Sequence, residues 1–185
     1  QKQFHAWGHK RPLMYRIFMP DASPAAIAVG LKHGQNYCWD AGQCRLRYAW
    51  YGRFVDPSPV WRGNGNGLAE VLGTKYWESE MPGTIRVGGG DSEPEFLGYK
   101  KVDGQPEFHF RVNDTDVYEL ITPLHSIIGI QRSFRIPNNT QPVSLPVGPT
   151  SRVAFEHSAG KLENGLLTLS AEEARAFTVF IGLIK

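Results

Sequence analysis

Apolar residues along the chain recur at every second position over short runs, and glycine, proline or an Asx-Gly pair interrupts each run. From Cys44 to Val55 the alternation places Cys44, Leu46, Tyr48 and Trp50 on one predicted face, with Arg45 and Arg47 on the other. From Pro106 to Val112 the same period sets Phe108, Phe110 and Val112 against Glu107, His109 and Arg111. Asp103-Gly104 and Asn164-Gly165 each lie between two such runs, where a two-residue hairpin turn requires residues that tolerate positive φ. Further strands are predicted around residues 12–20, 25–31, 96–102, 117–121, 126–136, 152–156 and 176–181. Asn113 to Asp116 reads as a turn between two of them, and 137–149 as a proline-containing connection. Residues 56–95 read as irregular, with one helical turn over Leu68 to Leu72. A second turn is predicted after Ser170, with Glu173 at the position that closes a capping box. Predicted inside are Leu46, Tyr48, Trp50, Phe108, Phe110, Val112, Phe177, Val179 and Ile181.

Many short strands and very little helix make the expected fold all-β, an antiparallel β-sandwich with long glycine-rich loops, and 1–185 reads as a single domain. Twenty Gly and 13 Pro spread over 185 residues agree with that pattern, and 41% hydrophobic and 21% charged residues exclude a disordered chain. The formal charge of +2 gives no reason to expect a nucleic-acid partner. No apolar stretch approaches the roughly 18 residues of a membrane span.

Motifs for catalysis are missing where they would be sought. The six histidines, His5, His9, His33, His109, His125 and His157, are scattered without HxH or HExxH spacing, and no GxSxG is present. Gly63 to Gly67 and Gly88 to Gly90 lack both the GxGxxG spacing and a Walker lysine. No cofactor is expected in this chain and no metal motif is present. A structural calcium drawn from Asp91, Glu93 and Glu95 with Asp56 and Asp103 is left open. Cys38 and Cys44 frame five residues, a spacing that closes a disulfide if the Cα atoms stand about 5.5 Å apart. A bridge is the expectation, with two buried thiols as the alternative.

Aromatics supply the strongest functional signal. Trp39, Trp61 and Trp77 fall near turn residues, with Asp40, Asp56, Arg62 and Glu78 beside them. Aromatic rings with neighbouring carboxylates and guanidinium groups suit a sugar, whose apolar face stacks while its hydroxyls are hydrogen-bonded. The same rings suit a protein partner. These seven residues are the expected ligand or partner surface. A groove beside any of the three indoles favours a bound ligand, and a flat apolar patch favours docking. An enzyme acting on sugars is the alternative, with a carboxylate pair drawn from Asp40, Asp56, Glu78, Asp91, Glu93 and Glu95.

The runs Tyr15 to Gly30, Asn36-Tyr37-Cys38-Trp39-Asp40, Cys44 to Trp50, Gly52 to Asp56 and Pro59 to Gly65 resemble an accessory module of large secreted multidomain bacterial proteins of the Planctomycetes and Bacteroidetes type. Phe96-Leu97-Gly98-Tyr99 and Gly104 to Phe108 extend the likeness, which covers most of residues 12–112. In those proteins the module stands beside c-type cytochrome domains or quinone-type sugar dehydrogenase propellers. The resemblance implies an exported, non-catalytic piece of a larger protein, binding carbohydrate or docking to a neighbouring redox or sugar-oxidising domain. It carries no catalytic residues, and without CxxCH here any haem belongs to the neighbour.

Overall fold

A computed structural model describes residues 10–91 and 93–184. His5 and His9 lie outside the described residues. The strands are β1 (Leu13–Arg16), β2 (Ala26–Gly30), β3 (Gln35–Asp40), β4 (Arg45–Asp56), β5 (Glu70–Glu78), β6 (Arg86–Val87), β7 (Glu95–Val102) and β8 (Gln105–Val112). They continue with β9 (Thr115–Pro123), β10 (Gly129–Arg135), β11 (Val143–Pro146), β12 (Val153–His157), β13 (Lys161–Glu163), β14 (Leu166–Leu169) and β15 (Ala176–Leu183). Among the described residues one short α-helix, α1 (Ser58–Arg62), and two 3-10 turns, Lys32–Gly34 and Glu173–Arg175, interrupt them. All pairings are antiparallel, in three sheets ordered β1-β2-β3-β4-β5, β12-β15-β10-β9-β8-β7 and β13-β14-β11-β6. The chain is an all-β sandwich.

The hairpin turns form where the sequence specifies them. Asp103 and Gly104 have φ of 50° and 80°, and Asn164 and Gly165 have φ of 50° and 76°, the left-handed pair that matches strand twist. Asn113 and Asp114, at 47° and 59°, turn β8 into β9 in the same way. The capping box also closes: Glu173 N donates to Ser170 Oγ and Ser170 N to Glu173 Oε2.

Two apolar clusters result. The larger joins inner faces of all three sheets, including Ile27, Trp39 and Leu46 from the first, Phe108, Phe110, Val179 and Ile181 from the second, and Leu145 and Leu167 from the third. The smaller lies on the other face of the first sheet, where Ala28, Cys38, Tyr48, Trp50 and Phe54 are covered by Met19, Ala69 and Val60.

Every residue predicted to be inside is buried, but β4 does not keep one face. Trp39 pairs with Leu46 while Cys38 pairs with Tyr48, so Arg47 has no opposite residue and bulges. The extra residue reverses the parity. Cys44 and Leu46 enter the large core, whereas Tyr48 and Trp50 turn to the outer cluster. Arg47 is anchored in this position by donating from Nε to Asp21 O and from Nη1 to Ser79 O.

The β3–β4 turn separates the cysteines: Asp40 pairs with Arg45 and Trp39 with Leu46, which puts Cys44 on the side of Trp39 and leaves Cys38 on the other. Cys38 belongs to the outer cluster and Cys44 to the inner core, on opposite faces of one sheet, and both are free. The expected disulfide is therefore corrected to two buried thiols. The 56–95 stretch differs as well: the helical turn is Ser58–Arg62, and Leu68 to Leu72 instead leads into the long strand β5. In the 137–149 connection, β11 forms a strand that pairs with both β14 and β6.

Candidate functional site

Of the three indoles expected on a loop surface, two are structural. Trp39 is in β3 with 0% exposure, stacked on Phe108 and donating Nε1–H to Glu119. Trp77 is in β5 with 3% exposure and donates to Pro149 O. Both are corrected from surface to core. Their neighbours follow. Asp40 is buried, and its carboxylate accepts from Ser23 N and Oγ, Gly42 N and Gln43 N, so it ties the β1–β2 loop to the β3–β4 turn at one end of the first sheet. Glu78, half-buried, stands 3.9 Å from Lys75 Nζ.

Trp61 is the exception, 61% exposed. Its position begins with Asp56, the last residue of β4, which accepts from Ser58 N at 2.9 Å in an Asx turn just ahead of α1, whose N-cap is Pro57. Ser58, through its hydroxyl and then its backbone N–H, holds the Asp56 carboxyl below the ordinary carboxylate range, with Arg62 and Arg53 contributing. Val60 N donates to Pro57 O, and the turn lifts Trp61 out of the surface. The glycine-rich loop then folds back under it. A Cβ on Gly67 would stand 1.8 Å from Pro59 O, so only glycine allows the chain to pass there.

Beside Trp61 lies a concavity of about 420 Å³, walled by Tyr15, Ile17, Val55, Pro57, Val60 and the indole itself. It opens on the outer cluster's side of the first sheet. Arg16 also lines it, while Arg53 and Arg62, both exposed, act on the nearby Asp56 carboxyl. Of the seven expected surface residues, Asp56, Trp61 and Arg62 come together, and Trp39, Asp40, Trp77 and Glu78 do not join them. Sequence reasoning did not pick out Tyr15, Ile17, Val55 and Val60. The only signal was their shared position around a proline-flanked turn, which does not reveal that two distant runs converge.

A second concavity of about 500 Å³ lies at the loop end of the sandwich, where the turn after β3 meets residues 82–87, 90–91 and 93–94 and the β8–β9 turn. Its walls mix polar and apolar side chains. Asp91 and Glu93, two of the carboxylates considered for an enzyme, are on its rim, with Asp91 3.7 Å from Arg86.

Acid catalysis on a sugar needs a carboxyl with a raised pKa. Asp56 and Asp116 are displaced in the opposite direction, Asp116 chiefly by the hydrogen bond from His109. No group of three or more His, Cys, Asp or Glu side chains among the described residues is arranged to hold a metal ion. No described helix is long and apolar enough to cross a membrane. No protein-family model matches the chain, and no curated protein or solved structure matches it either.

Proposed function

We propose that this chain is a non-catalytic accessory module that docks a partner polypeptide through the Trp61 groove. The observation that carries the reading is one large indole left 61% exposed at the lip of an apolar concavity, while Trp39, Trp50 and Trp77 are packed away. Tryptophan at the edge of a pocket is the residue type that most often dominates a binding interface.

By shape alone a groove beside an indole favours a small ligand, and it is the chemistry of this lining that turns the reading to a polypeptide. A pyranose brings a ring of hydroxyls, and each one buried without a partner costs about 1–3 kcal/mol. Ile17, Val55, Pro57 and Val60 offer such hydroxyls nothing, and few lining side chains, Tyr15 and Arg16 among them, can pair with them. An apolar side chain loses only its contact with water on entering, a gain of about 1.5–3 kcal/mol when fully buried. Arg16 adds positive charge to the lining, so the segment that fits best carries Asp or Glu beside an aliphatic or proline anchor. Under the resemblance that segment belongs to a cytochrome c or sugar dehydrogenase type neighbour in the same exported protein.

Selection of a displayed random-peptide library on the domain, with counter-selection on Trp61→Ala, tests this. Enriched peptides should combine an apolar anchor with acidic flanks, bind in the micromolar range, weaken with salt, and lose at least tenfold on Trp61→Ala. Peptides that bind the variant equally well, or a selection without enrichment, would overturn the reading.

A further inference from the structure

We propose that the polar groove at the loop end of the sandwich is a binding site for a neutral carbohydrate, independent of the Trp61 groove. Its volume, about 500 Å³, falls within the roughly 300–1,000 Å³ of small-ligand sites. Hydrogen-bonding side chains converge on it from four separate segments: Gln43 and Arg45 on one side, Arg86 and Asp91 on another, then Glu93 and Asn113.

The kinds of group present define the ligand. A hydroxyl is donor and acceptor at once, so it is best matched where a guanidinium and a carboxylate stand side by side. Arg86 and Asp91, 3.7 Å apart and both largely exposed, are such a pair. Two arginines, Arg45 and Arg86, face two carboxylates, Asp91 and Glu93, so the groove has no net charge with which to hold a phosphate, sulfate or uronate. Ile85, Val87 and Val112 supply apolar contact beneath, as the C–H face of a sugar ring requires.

Arg45 gives an independent indication. It lines the groove and also a space of about 10 Å³ directly inside it, which the buried Glu119–Arg132 pair bounds. Its Nη2 donates to Ser79 Oγ, whereas its Nε–H is buried and meets no acceptor among the described residues. Buried N–H groups in folded proteins are almost always satisfied, so this one calls for an oxygen from outside the chain. The space of about 10 Å³ has room for one water, and a sugar hydroxyl at the floor of the groove reaches the N–H through it.

The test is calorimetric titration of the whole chain with cellotriose, xylotriose, mannotriose and a galactose trisaccharide, beside a trigalacturonate and a heparin disaccharide. At least one neutral sugar should bind more tightly than about 10 mM, at the weak end of specific affinities. Arg86→Ala and Asp91→Ala, both at exposed positions, should each weaken it at least tenfold without lowering the unfolding midpoint. Trp61→Ala should leave it unchanged, which separates this site from the docking groove. The Arg45 Nε–H resonance should shift on titration. Absence of binding by every neutral sugar, preference for the charged ones, or loss of binding in Trp61→Ala alone would overturn the proposal.

Discussion

Trp39 of β3 lies parallel to Phe108 of β8, with ring centroids 4.1 Å apart and planes 3° from coplanar, and this stack joins the first sheet to the second. The indole's Nε1 donates to Glu119 Oε1 at 3.0 Å, and Arg132 Nε donates to Glu119 Oε2 at 2.7 Å, all three side chains being buried. An aromatic residue that looked like a loop residue in sequence is thus the hub of a polar network inside the core. Removing one partner of a buried ion pair leaves the other uncompensated, so Arg132→Met should destabilise by about 3–5 kcal/mol. The double variant Glu119→Gln, Arg132→Met should recover part of that loss in urea unfolding. A cost below about 1 kcal/mol for Arg132→Met would mean that solvent reaches the pair.

The two cysteines give the second prediction. Burial pushes each thiol up to about 12, for Cys38 against a hydrogen bond with Tyr48 that acts the other way, and for Cys44 with help from Asp40 and Glu119. Thiolate is the reacting species, so neither should be modified by an aromatic disulfide reagent at pH 8 in the folded protein. Both should react on denaturation, and the intact mass should be the same with and without reductant. A mass two units lower before reduction would place the bridge back in the structure and would require the β3–β4 turn to form in another register.

The pH dependence of stability is readable at Asp116. Its Oδ1 accepts from His109 Nε2 at 2.9 Å and lies 3.3 Å from Arg111 Nη2. His109 chiefly holds this carboxyl below its ordinary value. A carboxyl with a lower pKa folded than unfolded contributes stability above its unfolded value of about 3.9, and that stability is lost as pH falls through the folded value. The midpoint gap between wild type and Asp116→Asn should therefore be present at pH 6 and close towards pH 2. Partial exposure keeps the effect within about 1 kcal/mol. A gap independent of pH would show that the carboxylate's charge contributes nothing.

Alternation and turn chemistry are local, and the features that depend on them could be read directly: the face of β8, the Asp103-Gly104 and Asn164-Gly165 hairpins, the Ser170 to Glu173 box. A bulge is not local. Whether Arg47 is paired depends on how β3 lies beside β4, so the face of Tyr48 cannot be inferred from period alone, and the separation of Cys38 from Cys44 depends likewise on where the turn between the two strands falls. β5 was hidden for a related reason. Gly73 sits opposite Gly52, and the register shifts twice along β4, which blurs the alternation that would have marked the strand. Trp61 could be recognised because glycines crowd around it. The polar groove could not, since Gln43, Arg86 and Asn113 meet only after three sheets have assembled.

Gly67 couples that crowding to the docking groove, and its substitution gives the last prediction. The backbone passes so close to Pro59 that a Cβ would come within 1.8 Å of its carbonyl oxygen and 2.5 Å of the carbon. Backbone cannot rotate away as a flexible side chain can, so Gly67→Ala must displace either the loop or α1. Overpacking of this kind costs about 1–3 kcal/mol. Gly89→Ala is the control, because nothing lies within 4 Å of its Cβ and its φ is not in the left-handed range, so it should stay within about 0.5 kcal/mol of wild type. The indole N–H resonance of Trp61, assigned by its disappearance in Trp61→Phe, should move in Gly67→Ala and hold still in Gly89→Ala. If Gly67→Ala leaves both the urea midpoint and that resonance unchanged, the loop does not brace α1, and the exposure of Trp61 must be set by Asp56 and Pro57 alone.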